Sequence, residues 1–277
     1  DGTAGDEKGV ARVADVMEVY RALDSWAPFE TQMDFDNAGF LVGRGERPVS
    51  RVLVALDITE QVVEESGLWG AQLVVSHHPV IFHPVKTITD ASPLGRTLLR
   101  LAELGIAAIC AHTNLDAAQG GVNDVLAHRL ALVDTAMLHQ DGTDCQGRPY
   151  GIGRVGRAHQ EGLDACQYAA FVKERLGAAS VRYVDGGVPV NKVAVGGGSC
   201  GSMLSEVLAA GCDTFVTADV KYDVFLEAKA LGINLMDAGH YATEQVVCPQ
   251  LVQFLEKRFP HMEVRLSSGH REVYGNV

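Results

Sequence analysis

Three polar clusters each follow a short apolar run and hold the side chains best suited to chemistry. They are Ser76-His77-His78-Pro79 after the run 73–75, His112-Thr113-Asn114-Leu115-Asp116 after 106–110, and Asp237-Ala238-Gly239-His240-Tyr241-Ala242-Thr243-Glu244 after 234–236. Adjacent histidines at a strand end point in different directions, so His77 and His78 can serve two neighbouring ions. His240 and Glu244 are four apart at a helix start, which puts both on one helical face. A carboxylate has two oxygens and can bridge two cations. The candidate metal ligands are therefore His77, His78, Asp116, His240 and Glu244, a mixed N/O set that suits Zn, Fe, Mn, Co or Ni and does not suit Ca or thiolate-preferring metals. Two divalent ions contribute +4 and two carboxylates −2, leaving about +2. Hydroxide or a small anionic or phosphate-bearing substrate would balance that charge, and bound water would ionise near pH ~7 instead of ~15.7. A lone strand-end histidine is more often a hydrogen-bonded structural residue. Three such clusters on successive strand ends favour ligation.

The surrounding periodicity shows what must position these clusters. Helical spacing covers 13–26, 60–68 with Thr59 as cap, and 93–104, where Ser92-Pro93 opens and Gly105 closes the helix. Further helices are expected from Gly120-Gly121 through 131 and over 163–176, 203–210, 224–231 and 241–259. Apolar runs of strand type cover 52–56, 73–75, 106–110, 152–155, 181–184, 193–195, 214–217 and 234–236. Such alternation implies βαβ units. The expected class is α/β: two α/β lobes, 12–133 and 146–277, with mixed, largely parallel sheets and the metal site in the cleft between them. The turn-rich stretch 141–149 would be the joint.

The chain has 277 residues, with 35 acidic against 23 basic side chains and a formal charge of −12. That balance argues against nucleic-acid binding, which draws affinity from Lys and Arg on phosphates. No apolar run of 18 residues exists, so no membrane helix is expected. The polar stretch 1–8 lacks the apolar core of a leader, and the expected compartment is the cytoplasm. The six cysteines show no C-x-x-C pair and read as buried small hydrophobes. Gly196-Gly197-Gly198-Ser199 could cradle a phosphate, yet it lacks a P-loop Lys-Ser/Thr and reads as a tight turn. His112 and Asp237 stand beside ligands and would either orient them or make ordinary strand-end hydrogen bonds. His83, His128, His139, His159, His261 and His270 fit no cluster and read as surface or structural. Ser199 and Ser202 show no His-Asp partnership for nucleophilic catalysis.

From about Val16 to Arg265 the chain resembles the NIF-three-like dinuclear metal-centre family, whose members are labelled GTP cyclohydrolase I type 2 homologues. The resemblance is carried by Asp36-Asn37-Ala38-Gly39-Phe40-Leu41-Val42-Gly43, by Gly196-Gly197-Gly198-Ser199 and by the three clusters above. It implies two divalent ions, with His78 and Asp116 on one, His77 and His240 on the other, and Glu244 bridging. It also implies a homo-oligomer in the form of a toroidal hexamer. Leu132 and Lys192 are only 60 positions apart, which marks a short member without the inserted domain. Phe35 stands where the family commonly has Trp, and Ala218 and Asp223 where Gly and His are frequent.

The leading expectation is a metal-dependent hydrolase whose nucleophile is a water on the metals, with no protein side chain yet assigned a catalytic role. The alternative is a metal-stabilised scaffold or regulatory adaptor.

Overall fold

The computed structural model describes residues 13–277. The polar stretch 1–8, and position 12 at the expected start of the first lobe, lie outside the described residues. The chain opens with α1 (Val16–Trp26), capped by Asp15, whose carboxylate accepts Glu18 N while the Glu18 side chain returns to Asp15 N. β1 (Gly39–Val42), β2 (Arg51–Ala55), α2 (Glu60–Trp69), β3 (Leu73–Ser76), α3 (Pro93–Leu104) and β4 (Ala107–Cys110) follow. The expected caps form: Thr59 accepts Val62 N, Ser92 accepts Gly95 N, and Gly105 ends α3 in the left-handed conformation at φ 64°. Then come α4 (Thr113–Ala117), α5 (Val122–Arg129), β5 (Val133–Met137) and a small hairpin, β6 (Gly142–Thr143) with β7 (Pro149–Tyr150), in the expected joint. β8 (Arg154–Arg157), α6 (Ala165–Leu176), β9 (Arg182–Val184), β10 (Lys192–Val195), α7 (Leu204–Ala209), β11 (Thr214–Thr217), α8 (Tyr222–Leu231) and β12 (Asn234–Asp237) build the second part. α9 (His240–Glu244), α10 (Val247–Arg258) and β13 (Glu263–Leu266) close the described chain.

Two mixed sheets result. The first has the order β1-β4-β3-β2-β13, in which β13, β2, β3 and β4 are parallel and β1 is an antiparallel edge. The second has the order β5-β8-β10-β11-β12-β9, with a parallel centre of β10, β11 and β12 flanked by antiparallel strands. The α/β class and mixed sheets are as expected.

Alternation along the strands sends apolar side chains to both faces. In the first sheet Val52, Val54, Val75 and Ile109 meet α1 and α10, while Leu53, Val74 and Ala108 meet α2 and α3. In the second, Val193, Val195, Val216 and Met236 meet α5 and α6, and Ala194, Phe215 and Leu235 meet α7 and α8. Each sheet is thus buried between helices, as parallel pairing requires. Sheet membership does not change only once along the chain, in contrast to the single division expected between 133 and 146. α5 already packs on the second sheet, and α10 and β13 return to the first. The reason is apolar matching: Leu251, Leu255 and Val264 complete the core under α1.

The helix expected over 241–259 is interrupted after Glu244. Pro249 has no N–H for the carbonyl four residues before it, so α10 begins anew at Val247 with Pro249 in its first turn.

Candidate metal centre

The carboxyl ends of β3, β4 and β12 carry the three clusters, and the fold brings them together. His77 and His78 follow β3 directly, with rings 5.0 Å apart and tilted by 42°, so they face different ways. α4 starts immediately after β4, with His112 at its cap and Asp116 one turn on. α9 follows β12 through Gly239 and aligns His240 with Glu244. All five sequence-predicted ligands meet in this cluster.

Glu244, 3% exposed, lies at its centre. Its Oε1 is 3.7 Å from His77 Nε2, and Asp116 Oδ1 is 3.4 Å from the same nitrogen. Its Oε2 is 2.7 Å from His78 Nε2 and 2.9 Å from His240 Nε2, and those two nitrogens are 3.2 Å apart. One carboxylate thus faces two donor sets, one oxygen to each. The sets are His77 with Asp116 and His78 with His240, whereas the resemblance implied the crossed pairing. The cause is direction: His77 turns inward beneath Ala111, and His78 turns outward between Asp57 and α9.

His112 completes a third set with His77 and His78, their donor atoms lying within 4.8 Å of one another. Sequence reasoning placed it beside the ligands but not among the inward-facing nitrogens. Strand-end spacing alone does not reveal which way a ring turns.

Each imidazole has its Nδ1 occupied, which leaves Nε2 as the inward atom. His77 Nδ1 is 2.8 Å from the Ala111 carbonyl, His78 Nδ1 2.7 Å from Asp57, His112 Nδ1 2.7 Å from Asp36 and His240 Nδ1 2.6 Å from Asp219. An acceptor on Nδ1 fixes the tautomer and raises the basicity of Nε2. Asp57 and Asp219 had no sequence signal, because each lies at the end of a different strand from the histidine it holds. Asp36 lies in a motif quoted above, and it also accepts Thr113 N and Oγ1. Asp219 adopts a left-handed φ of 50° and accepts Ser199 Oγ as well as His240; such strain concentrates at functional sites. Asp237, by contrast, binds Val220 N, Gly239 N and Arg182 and touches no imidazole.

His270, read from sequence as fitting no cluster, belongs here: its Nε2 is 2.8 Å from the second oxygen of Asp57. The glycine loop is a tight turn. The N–H groups of Gly197 and Gly198 are taken by Asn123 Oδ1 and Thr243 Oγ1, which withdraws both from a phosphate cradle. Among the cysteines, Cys110, Cys212 and Cys248 are buried as expected, but Cys145 and Cys166 are exposed.

The electrostatics favour cations. Burial opposes the charge on Glu244, yet the surrounding imidazoles of His77, His240 and His78 outweigh it and hold the carboxyl well below its usual range. Burial, reinforced by the Glu244 charge, pushes Asp116 upward, although His77 and His78 act the other way. Burial works against protonation of His78 and His240, but hydrogen bonds to carboxylates prevail and raise them to about 10 and about 9. Of the four buried side-chain atoms without a hydrogen-bond partner among the described residues, two, His77 Nε2 and Asp116 Oδ1, lie in this cluster. A buried polar atom left unpaired costs about 1–3 kcal/mol, so this pair fits a group that both can ligate.

Fold and cluster together define an α/β protein whose His, Asp and Glu groups could hold metal ions. More specifically, the chain belongs to the Duf34/NIF3 (NGG1p interacting factor 3) family, whose model matches residues 14–272. It is 39% identical over 235 residues to a GTP cyclohydrolase 1 type 2 homolog of Streptomyces coelicolor, covering 83% of this chain and 82% of the relative. A protein of the same name from Clostridium perfringens is 32% identical over 241 residues, covering 87% and 89%. The solved Bacillus cereus protein related to NIF3 superposes with a TM-score of 0.88 at 25% identity, covering 96% of this chain and all of that one.

Proposed function

We propose that the cluster holds two divalent cations, one at His77, Asp116 and Glu244 with His112 alongside, the other at His78, His240 and Glu244, and that the protein is a metal-dependent hydrolase. The observation that carries this reading is the pair of unpartnered buried donors, His77 Nε2 and Asp116 Oδ1, beside a doubly shared carboxylate. Cations bound there would supply Lewis-acid polarisation and lower the pKa of water. The protein's own part is to keep Glu244 ionised and every Nε2 aimed inward, through Asp57, Asp219, Asp36 and the Ala111 carbonyl. The three protein donors of the His78, His240 and Glu244 set leave room for a further ligand, the mark of catalytic rather than purely structural sites. The surplus positive charge suits a small anionic or phosphate-bearing substrate, and the cyclohydrolase in the relatives' name agrees with hydrolysis.

The same reading includes a homo-oligomer, a toroidal hexamer by resemblance, working in the cytoplasm. Its support here is α8, which leaves Tyr222 77%, Leu226 54% and Leu231 47% exposed. Such an apolar surface favours burial against another subunit. Light scattering that reports a monomer would remove this part.

The direct test is elemental analysis of protein purified without added metal and after reconstitution, followed by a hydrolase-substrate screen of stripped and reloaded protein. About two ions per chain and metal-dependent turnover are expected. Less than about one ion per chain overturns the dinuclear site. Full loading with no turnover moves the function to the scaffold alternative.

A further inference from the structure

We infer that the segment following β13, residues 267–277, clamps the second donor set, with His270 and Asp57 as positioning residues for His78. The inference rests on the metal reading above and adds to it a specific dependence on the chain's last described residues.

The segment is fixed as it leaves the first sheet. Ser267 N donates to Val54 O at 2.7 Å, and the Glu65 carboxylate on α2 accepts Ser267 Oγ at 2.5 Å, Ser268 N at 2.8 Å and Gly269 N at 3.1 Å. His270 is thereby delivered to one place, with its side chain only 7% exposed. Its ring packs edge-on against Tyr241, centroids 5.5 Å apart, and its carbonyl accepts the Tyr241 hydroxyl at 3.3 Å. Its Nε2 donates to Asp57 Oδ2 at 2.8 Å, while Asp57 Oδ1 accepts His78 Nδ1 at 2.7 Å. An unbroken line runs from Glu244 through His78 and Asp57 to His270.

The segment then crosses to the other sheet. A β-carbon at Gly239, the residue before His240, would stand 3.4 Å from Tyr274 Oη and 3.5 Å from Glu272 Oε1. Further on, Ser180 Oγ meets Asn276 Oδ1 at 3.0 Å. The segment therefore holds the support of His78 and packs beside Gly239, the residue that leads into His240. The supports of the first set are Ala111 O on His77 and, for His112 alongside it, Asp36; these lie elsewhere.

Asp57 is 39% exposed. Without His270, solvent can take one of its oxygens and leave the carboxylate free to turn away from His78. Loss of such an orienting partner lowers metal affinity about 10–100-fold, and here the loss should fall on one site only.

The test titrates Zn²⁺ into the metal-stripped full chain by calorimetry, and Co²⁺ by visible absorption, for wild type, His270→Ala and His270→Gln. The Gln amide nitrogen can replace Nε2 as donor to Asp57. Expected is a first binding step unchanged in all three. The second step should be about 10–100-fold weaker in His270→Ala, with an altered Co²⁺ spectrum, and largely restored in His270→Gln. An unchanged second step in His270→Ala, equal weakening of both steps, or no rescue by Gln overturns the clamp and leaves the metal reading standing. A wild-type chain that takes up neither ion overturns both.

Discussion

The α-carbon of Gly198 faces the Glu244 carboxylate so closely that a β-carbon there would overlap Oε1 and stand 3.0 Å from Cδ. Gly198 also holds a φ of +68°, a left-handed conformation that disfavours other residues by about 1–2 kcal/mol. The tight glycine turn thus makes room for the shared carboxylate. Gly198→Ala should lower unfolding free energy by about 1–3 kcal/mol and weaken cation uptake at both sets by at least about tenfold. Urea denaturation and calorimetry would check this. A folded variant with undiminished uptake would show that Glu244 does not need its present position.

Removing the shared charge tests the bridge directly. Glu244→Gln keeps the side-chain shape but leaves only one acceptor oxygen and no charge. Cation content should fall from about two per chain to below about one, because both sets lose their common ligand. Elemental analysis after dialysis reads the result, and retention of both ions would remove the bridging role.

Cation binding should appear as stability. A ligand held only by the folded state at 100 times its dissociation constant adds about 2.7 kcal/mol per site. Zn²⁺ at that excess should raise the melting temperature by at least about 5 °C, and a chelator should reverse the change. A melting temperature indifferent to both would contradict the metal reading.

Asp36 makes a prediction in pH. Burial opposes its charge, but hydrogen bonds from His112 and Thr113 outweigh that and bring its pKa from 3.8 to about 2. A carboxyl with a lower pKa folded than unfolded stabilises the protein above its unfolded value and loses that contribution as pH falls toward its folded value. The displacement corresponds to roughly 2 kcal/mol. Asp36→Asn should therefore be less stable than wild type by up to about 2 kcal/mol above pH ~5, the gap narrowing between pH ~4 and ~3. Urea denaturation at pH 6, 4 and 3 would show it. A gap that stays constant with pH would assign the loss to geometry alone.

The convergence of the five candidate ligands was legible because each polar cluster directly follows an apolar run of strand type, and open α/β sheets gather such ends on one edge. The groups that hold them were less so. Asp57, Asp219 and His270 act through contacts between distant segments, and His270 lies 213 positions from the Asp57 it touches. Among the elements, the buried apolar strands and capped helices were readable from periodicity. β5 and β13 escaped because Val133–Met137 and Glu263–Leu266 are mostly exposed edge strands whose polar residues mask any apolar run. The two-residue break before α10 could have been seen at Pro249.

The return of the chain to its starting sheet has a consequence for how the protein is made. β13 pairs in parallel with β2, aligning Glu263 with Arg51 across more than two hundred residues. Contacts between such distant positions form late, because a long loop must close first. On a ribosome, Val52, Val54 and their neighbours must wait beside an unfilled edge until residues 263–266 have been synthesised. The segment that follows, bearing His270, arrives later still. His270 is therefore the last group around the second donor set to be synthesised.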